Sequence, residues 1–184
     1  MNKIIKFTFN DRKGRDKMKL KVIRKQQNSR MCFVCGLKNH NGLKASFYEL
    51  ENGELVSIFK TLEEHQSYPG RLHGGVIGAI LDETIGRAIM INQQNIWGVT
   101  VELNVKYKKP IPLNEELRAV GRITKDSNRL FEGTGEILLA NGEVAATAYG
   151  KYLKMPIEKI ANFNEDHEEW DVVINDDDPK EIEI

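Results

Sequence analysis

Long apolar runs are missing from this chain. No stretch approaches the roughly twenty consecutive apolar residues of a membrane-spanning helix. The opening Met1-Asn2-Lys3-Ile4-Ile5-Lys6-Phe7 lacks the extended apolar core of a secretion signal. The expectation is a cytoplasmic protein without a membrane span. Internal repeats are absent too, and so are the βαβ repeats that would announce a parallel sheet. Cysteine is scarce: Cys32 and Cys35 form a single Cys-x-x-Cys. A zinc site needs two more ligands, and although His40 is near, no second cysteine pair completes a knuckle. A redox role needs a thioredoxin-like βαβ setting, which the pattern does not offer. Two reduced thiols buried in a β-rich turn are therefore expected, with no metal and no cofactor. Zinc shared between subunits is the alternative.

Net charge is also lacking, since 27 Lys and Arg balance 27 Asp and Glu, but the balance hides a polarity. Residues 1–30 carry 11 basic against 2 acidic side chains, and residues 158–184 carry 11 acidic against 2 lysines. The expected division is a basic extension over 1–30, one domain over 31–155 and an acidic extension over 156–184. Two solvated extensions are the simplest reading, and docking of one on the other is the next. In the docked case, salt should loosen the pair and expose it to protease. The basic arm lacks an aromatic stacking pattern and is too short for a helix-turn-helix, so no nucleic-acid partner is expected.

What the chain does have is an enclosed helix carrying one acidic pair. From Val76 to Met90, Val76, Ile77, Ala79, Ile80, Leu81, Ile85, Ala88, Ile89 and Met90 leave hardly any polar face. Within that run sit Asp82 and Glu83. Glu83 has Arg87 four residues on, in the favourable acid-first order. Asp82 has no such partner, and its neighbours one turn either way are Gly78 and Gly86. A carboxylate on an enclosed helix is paired, protonated or kept for chemistry, because an unpaired buried charge costs several kcal/mol. A structural acid bonded to a helix terminus or to a partner subunit is the alternative.

His73-Gly74-Gly75 falls at the expected helix start, where backbone N–H groups lack helical acceptors and the dipole is positive. Such N–H groups polarise a carbonyl as an oxyanion hole does. Gly74 and Asp82 are eight residues apart, about 12 Å along a helix axis, too far to engage one carbonyl together. Two antiparallel copies of the helix solve this, with Gly74 of one subunit opposite Asp82 of the other. Catalysis thus implies at least a dimer. His73 suits capping of the helix as well as a bond to substrate.

The remaining pattern is β-rich. Leu43–Leu50 and Glu54–Leu62 flank Glu51-Asn52-Gly53, a hairpin signal. Val99, Val101, Leu103, Val105 and Tyr107 alternate with polar residues until Pro110 and Pro112. Leu117–Thr124, Leu130–Leu139 and Val144–Leu153 follow, with turns at Asp126-Ser127-Asn128 and Asn141-Gly142. The class is α+β, one long helix over about 74–91 and an antiparallel sheet.

The run from His65-Gln66-Ser67-Tyr68-Pro69-Gly70-Arg71-Leu72 through His73-Gly74-Gly75 to Asp82-Glu83 resembles the signature of hotdog-fold acyl-CoA thioesterases of the phenylacetyl-CoA thioesterase type. Cys32-Phe33-Val34-Cys35-Gly36, Asn39, Gly42-Leu43 and Trp97 to Pro110 extend the resemblance to roughly Met31–Met155. It implies a sheet wrapped around one helix, paired subunits and hydrolysis of an acyl-CoA thioester, CoA being part of the substrate. Asp82 would act as general base or nucleophile, with the Gly74 N–H, helped by Gly75, on the oxyanion. The resemblance also points to Thr100 beside the catalytic water and, more loosely, to Gln66 or Ser67 as a polar amide or hydroxyl before the glycines. Strand alternation instead groups Thr100 with Glu102, Asn104 and Lys106, away from the apolar face. Lys106, Lys108, Lys109 and Arg71 are candidates for CoA phosphates, against simple solvation of a strand end. A non-catalytic acyl-CoA-binding or regulatory domain of the same fold is the rival reading. A dehydratase is a third, without a separate Asp and His pair to support it.

Overall fold

The computed structural model describes residues 18–162 and 164–184. The first seventeen residues of the basic arm lie outside the described residues. Among the described residues there are eight strands: β1 (Lys19–Lys25), β2 (Ser46–Leu50), β3 (Leu55–Lys60), β4 (Trp97–Tyr107), β5 (Glu116–Asp126), β6 (Leu130–Leu138), β7 (Val144–Met155) and β8 (Glu181–Glu183). They form one sheet in the order β4-β7-β6-β5-β3-β2-β1-β8, antiparallel at every pairing. One long helix, α1 (Gly74–Arg87), packs on it and continues as a 3-10 turn over Ala88–Ile91. This is the α+β architecture that the pattern implies, a sheet curved around a single helix.

Local chemistry sets the turns. Gly53 and Gly142 close the β2–β3 and β6–β7 hairpins at φ +81° and +83°, a region that favours glycine. The helix then seats on the middle of the sheet. Ile80, Leu81 and Ile85 of α1 are fully buried with Phe47, Leu55, Leu117 and Ile137 of the strands. Each such side chain contributes about 1.5–3 kcal/mol by leaving water. The close approach is possible because β6 carries glycine beneath Ile85. A Cβ on Gly133 would lie 2.6 Å from Ile85 Cγ2, and one on Gly135 2.9 Å from Ile85 Cγ1.

Both charged flanks enter the sheet. β1 pairs with β2 and with β8, and a smaller apolar cluster on the face away from α1 joins Leu20 and Ile182 to Tyr48, Leu50, Val56, Val120 and Leu138. Lys25 Nζ bonds Asp178 at 2.6 Å, and Lys38 bonds Glu169 at 2.6 Å. Among the described residues no helix is long and apolar enough to cross a membrane. At the opposite end of the sheet, β4 is an edge strand of eleven residues, and its Val101 and Tyr107 are among the exposed large hydrophobic residues.

Candidate active site

The helix start is built by histidines. His65 is buried: its Nδ1 accepts the Leu62 N–H at 3.0 Å, so Nε2 carries the proton and donates to the Asn41 carbonyl at 2.9 Å. The His65 carbonyl in turn accepts the His73 N–H at 2.9 Å, which fixes where α1 begins. His73 is the N-cap, and its Nδ1 accepts the Gly75 N–H at 2.9 Å. The Gly75 N–H is therefore engaged within the chain. The Gly74 N–H makes no hydrogen bond to the described residues, and the Gly74 carbonyl accepts from the Tyr107 hydroxyl at 3.0 Å.

Two turns on, Asp82 is half-buried and doubly held. Thr100 Oγ1 lies 2.9 and 3.1 Å from its two carboxylate oxygens, and the Tyr152 hydroxyl lies 3.1 Å from Oδ1 and from the Asp82 carbonyl. Strict alternation turns Thr100 away from the helix. The observed strand has a register shift between Thr100 and Glu102 against β7, so one extra residue re-aims the chain. Val101 takes the exposed position, 61% accessible, while Leu103 and Val105 pack on the core beyond the irregularity.

The glycines flanking Asp82 separate in role. Gly86 admits the Tyr152 ring, since a Cβ there would stand 3.2 Å from Tyr152 Cε1; a Cβ on Gly78 would meet nothing within 4 Å. Tyr152 is the functional candidate that sequence reasoning missed. Its signal was only an aromatic in the strand that became β7, and its closeness to Asp82 depends on the pairing of Tyr152 with Thr100. The ring stacks on Phe131 at 4.9 Å, which holds the hydroxyl in place.

Burial pushes the Asp82 carboxyl above its ordinary pKa; the Thr100 and Tyr152 hydrogen bonds oppose this by favouring the anion, and the Glu83 charge adds to the rise. Tyr152 is raised as well, by burial and then by the Asp82 charge, so it remains a donor at neutral pH. A pocket of about 90 Å³ opens beside the acid, lined by Asp82, Glu83, Gly86, Arg87, Met90, Trp97, Gly98, Thr100 and Tyr152. Wider concavities of about 300 and 510 Å³ lie near Glu116, Arg118 and Glu183. Both share Arg118, which donates to the Glu183 carbonyl at 2.7 Å. The smaller pocket is the one that holds a desolvated acid with a raised pKa beside aromatic and polar side chains, which is the arrangement chemistry needs.

Other expected residues stand apart from the acid. Gln66 Oε1 accepts the Gly70 N–H at 2.7 Å and so shapes the loop before the helix. Arg71 is exposed and bridges to Pro112. Lys106 and Lys108 are exposed at the end of β4, on the side of Gly74 and Tyr107. In the lining of the pocket, Arg87 Nε bonds Glu83 at 2.7 Å and Nη2 lies 3.0 Å from Cys35 Sγ. Burial opposes the Arg87 charge, but the neighbouring acidic groups, Glu83 first, outweigh it. The hydrogen bond from Cys35 lowers Cys32 to a pKa of about 7, and the same bond together with burial pushes Cys35 up.

Part of the sequence and the fold have counterparts among known proteins. Residues 69–146, the segment that holds the His73 cap, Asp82 and Thr100, match the sequence model of the thioesterase superfamily. Human acyl-coenzyme A thioesterase 13 is 28% identical over 78 residues, 42% of this chain and 56% of that protein. Mouse acyl-coenzyme A thioesterase THEM4 is 39% identical over 69 residues, 38% of this chain and 29% of that protein. The chain thus spans little more than half the length of the first of these relatives. Among solved structures, a thioesterase superfamily protein superposes with TM-score 0.62 at 27% identity, covering 67% of this chain and 60% of that one. Zebra fish thioesterase superfamily member 2 does so with TM-score 0.55 at 25% identity, over 60% of this chain and 80% of that one.

Proposed function

We propose that the protein hydrolyses acyl-CoA thioesters to the free acid and CoA in the cytoplasm, as a homodimer or larger homo-oligomer, without a cofactor. The observation that carries this reading is Asp82: a half-buried carboxylate with a raised pKa, held by Thr100 and Tyr152 in the lining of a small pocket. As general base it takes a proton from water as the water oxygen attacks the thioester carbon. As nucleophile it attacks that carbon directly, and the resulting anhydride is then hydrolysed. In either course the C–S bond breaks and CoA leaves as the thiolate. The Gly74 N–H at the positive end of α1 receives the developing oxyanion, from the partner subunit, since the two groups are two turns apart on one helix. The eleven-residue β4 edge supports pairing, because an exposed, part-apolar edge strand is a template for a second chain. A monomer with full turnover would remove the shared-site reading.

Thiol release from a panel of acyl-CoA esters, compared between wild type and Asp82→Asn as folded dimers, tests the assignment. The expected result is turnover by wild type and a loss of orders of magnitude in the variant. Binding without thiol release would instead favour an acyl-CoA-binding or regulatory domain. At the end of β4, Lys106→Ala or Lys108→Ala is expected to raise KM more than it lowers kcat, as loss of a CoA phosphate contact would. The reverse split would take both lysines out of phosphate binding.

A further inference from the structure

Cys32 and Cys35, the two ligands of the Cys-x-x-Cys pattern, are joined in the fold by Glu83. The segment Cys32–Gly36 is a tight turn: the Gly36 N–H donates to the Cys32 carbonyl at 2.9 Å, and a Cβ on Gly36 would lie 2.4 Å from that oxygen. The turn points the Val34 and Cys35 N–H groups at Cys32 Sγ, at 3.3 and 3.5 Å. Donors of this kind favour a thiolate sulfur. Helix α1 then delivers Glu83, and the three ligand atoms lie within 4.8 Å of one another. Two sulfurs at the usual ~2.3 Å from a tetrahedral zinc ion stand about 3.8 Å apart, which falls inside the 4.8 Å that bounds the cluster.

Arg87 has the position of an outer partner. Its guanidinium bonds both a sulfur and the carboxylate, at 3.0 and 2.7 Å, donates to the Gln27 carbonyl at 2.8 Å and lies over the Phe47 and Trp170 rings. Once an ion displaces the proton shared by the two sulfurs, two thiolates and a carboxylate carry three negative charges, of which Arg87 offsets one and a divalent cation the other two. His40, the nearby histidine in sequence, is exposed and outside the cluster.

We propose that Cys32, Cys35 and Glu83 bind one zinc ion, with a fourth position open to water on the half-exposed Cys32 side. The ion clips the loop before β2 to α1, one residue beyond the acid that faces the pocket. Zinc content of protein purified under reducing conditions, and titration of chelator-treated protein with Co²⁺, test this. The expected result is one zinc per chain and a thiolate-to-cobalt charge-transfer band that saturates at one equivalent. Cys32→Ser and Cys35→Ser should each reduce that band, and Glu83→Gln should keep a thiolate band while weakening Co²⁺ binding about tenfold or more. The wild-type readout stands even where a variant does not fold. No retained zinc and no cobalt band, with both thiols reactive, would overturn the proposal and leave Arg87 as the cluster's cation. Unchanged affinity in a folded Glu83→Gln protein would equally overturn the three-ligand site.

Discussion

Asp82 is tuned by opposing effects of different origin. Desolvation favours its neutral form, whereas the Thr100 and Tyr152 hydroxyls favour the anion that general-base or nucleophilic chemistry requires. Activity should therefore fall on the acid side through a pKa raised above the ordinary carboxylate value, and kcat/KM should report it for the free enzyme. Tyr152→Phe keeps the ring that stacks on Phe131 but removes one donor to the anion. The carboxyl pKa then rises further, so the acid limb moves to higher pH. A limb that stays in place or moves to lower pH would show that the Tyr152 hydroxyl does not support the Asp82 charge. The acid itself was legible in the sequence as a charge without a partner between two glycines. Its hydroxyl partners were less so: Thr100 came from resemblance against alternation, and Tyr152 is seventy residues away in the chain.

At the scale of elements, α1 and β6 fit because one of them gives up side chains. Gly133 and Gly135 leave the strand flat where Ile85 presses on it. Gly133→Ala places a methyl 2.6 Å from Ile85 Cγ2 and 2.8 Å from the Arg122 carbonyl, so backbone as well as side chain must shift. We expect a loss of about 1–3 kcal/mol in denaturant unfolding, the range of overpacked cores. Unchanged stability would mean that the helix does not sit this close. The hairpins were readable from Asn52-Gly53 and Asn141-Gly142, since a positive φ leaves a chemical mark in the sequence. The irregularity after Thr100 leaves none, because any residue can occupy it.

For the whole molecule, the charged flanks are structural. Strands β1 and β8 pair, Lys25 and Asp178 are bonded with the lysine side chain only 7% exposed, and Trp170 packs on Trp97 at 4.7 Å. This changes the salt expectation, because backbone hydrogen bonds, aromatic contact and a buried pair are screened little. Proteolysis of the acidic segment should respond weakly to salt and strongly to Trp170→Ala. Equal digestion of wild type and variant would count against docking through Trp170. The strand in the basic flank escaped the sequence reading because its lysines and arginines were read as a solvated charge run, although Leu20 and Val22 alternate with them.

The sequence by itself determined the class, one enclosed helix and an antiparallel sheet, because periodicity and turn chemistry are local properties of a few neighbouring residues. It also marked Asp82 and the glycines of the helix start, where residue type conflicts with surroundings. Only the tertiary structure decided which hydroxyls hold the acid, that Glu83 and Arg87 meet Cys32 and Cys35, and that the two flanks close the far end of the sheet. Those contacts join residues far apart in the chain, so they depend on strand register and on a single extra residue in β4, neither of which any local pattern encodes.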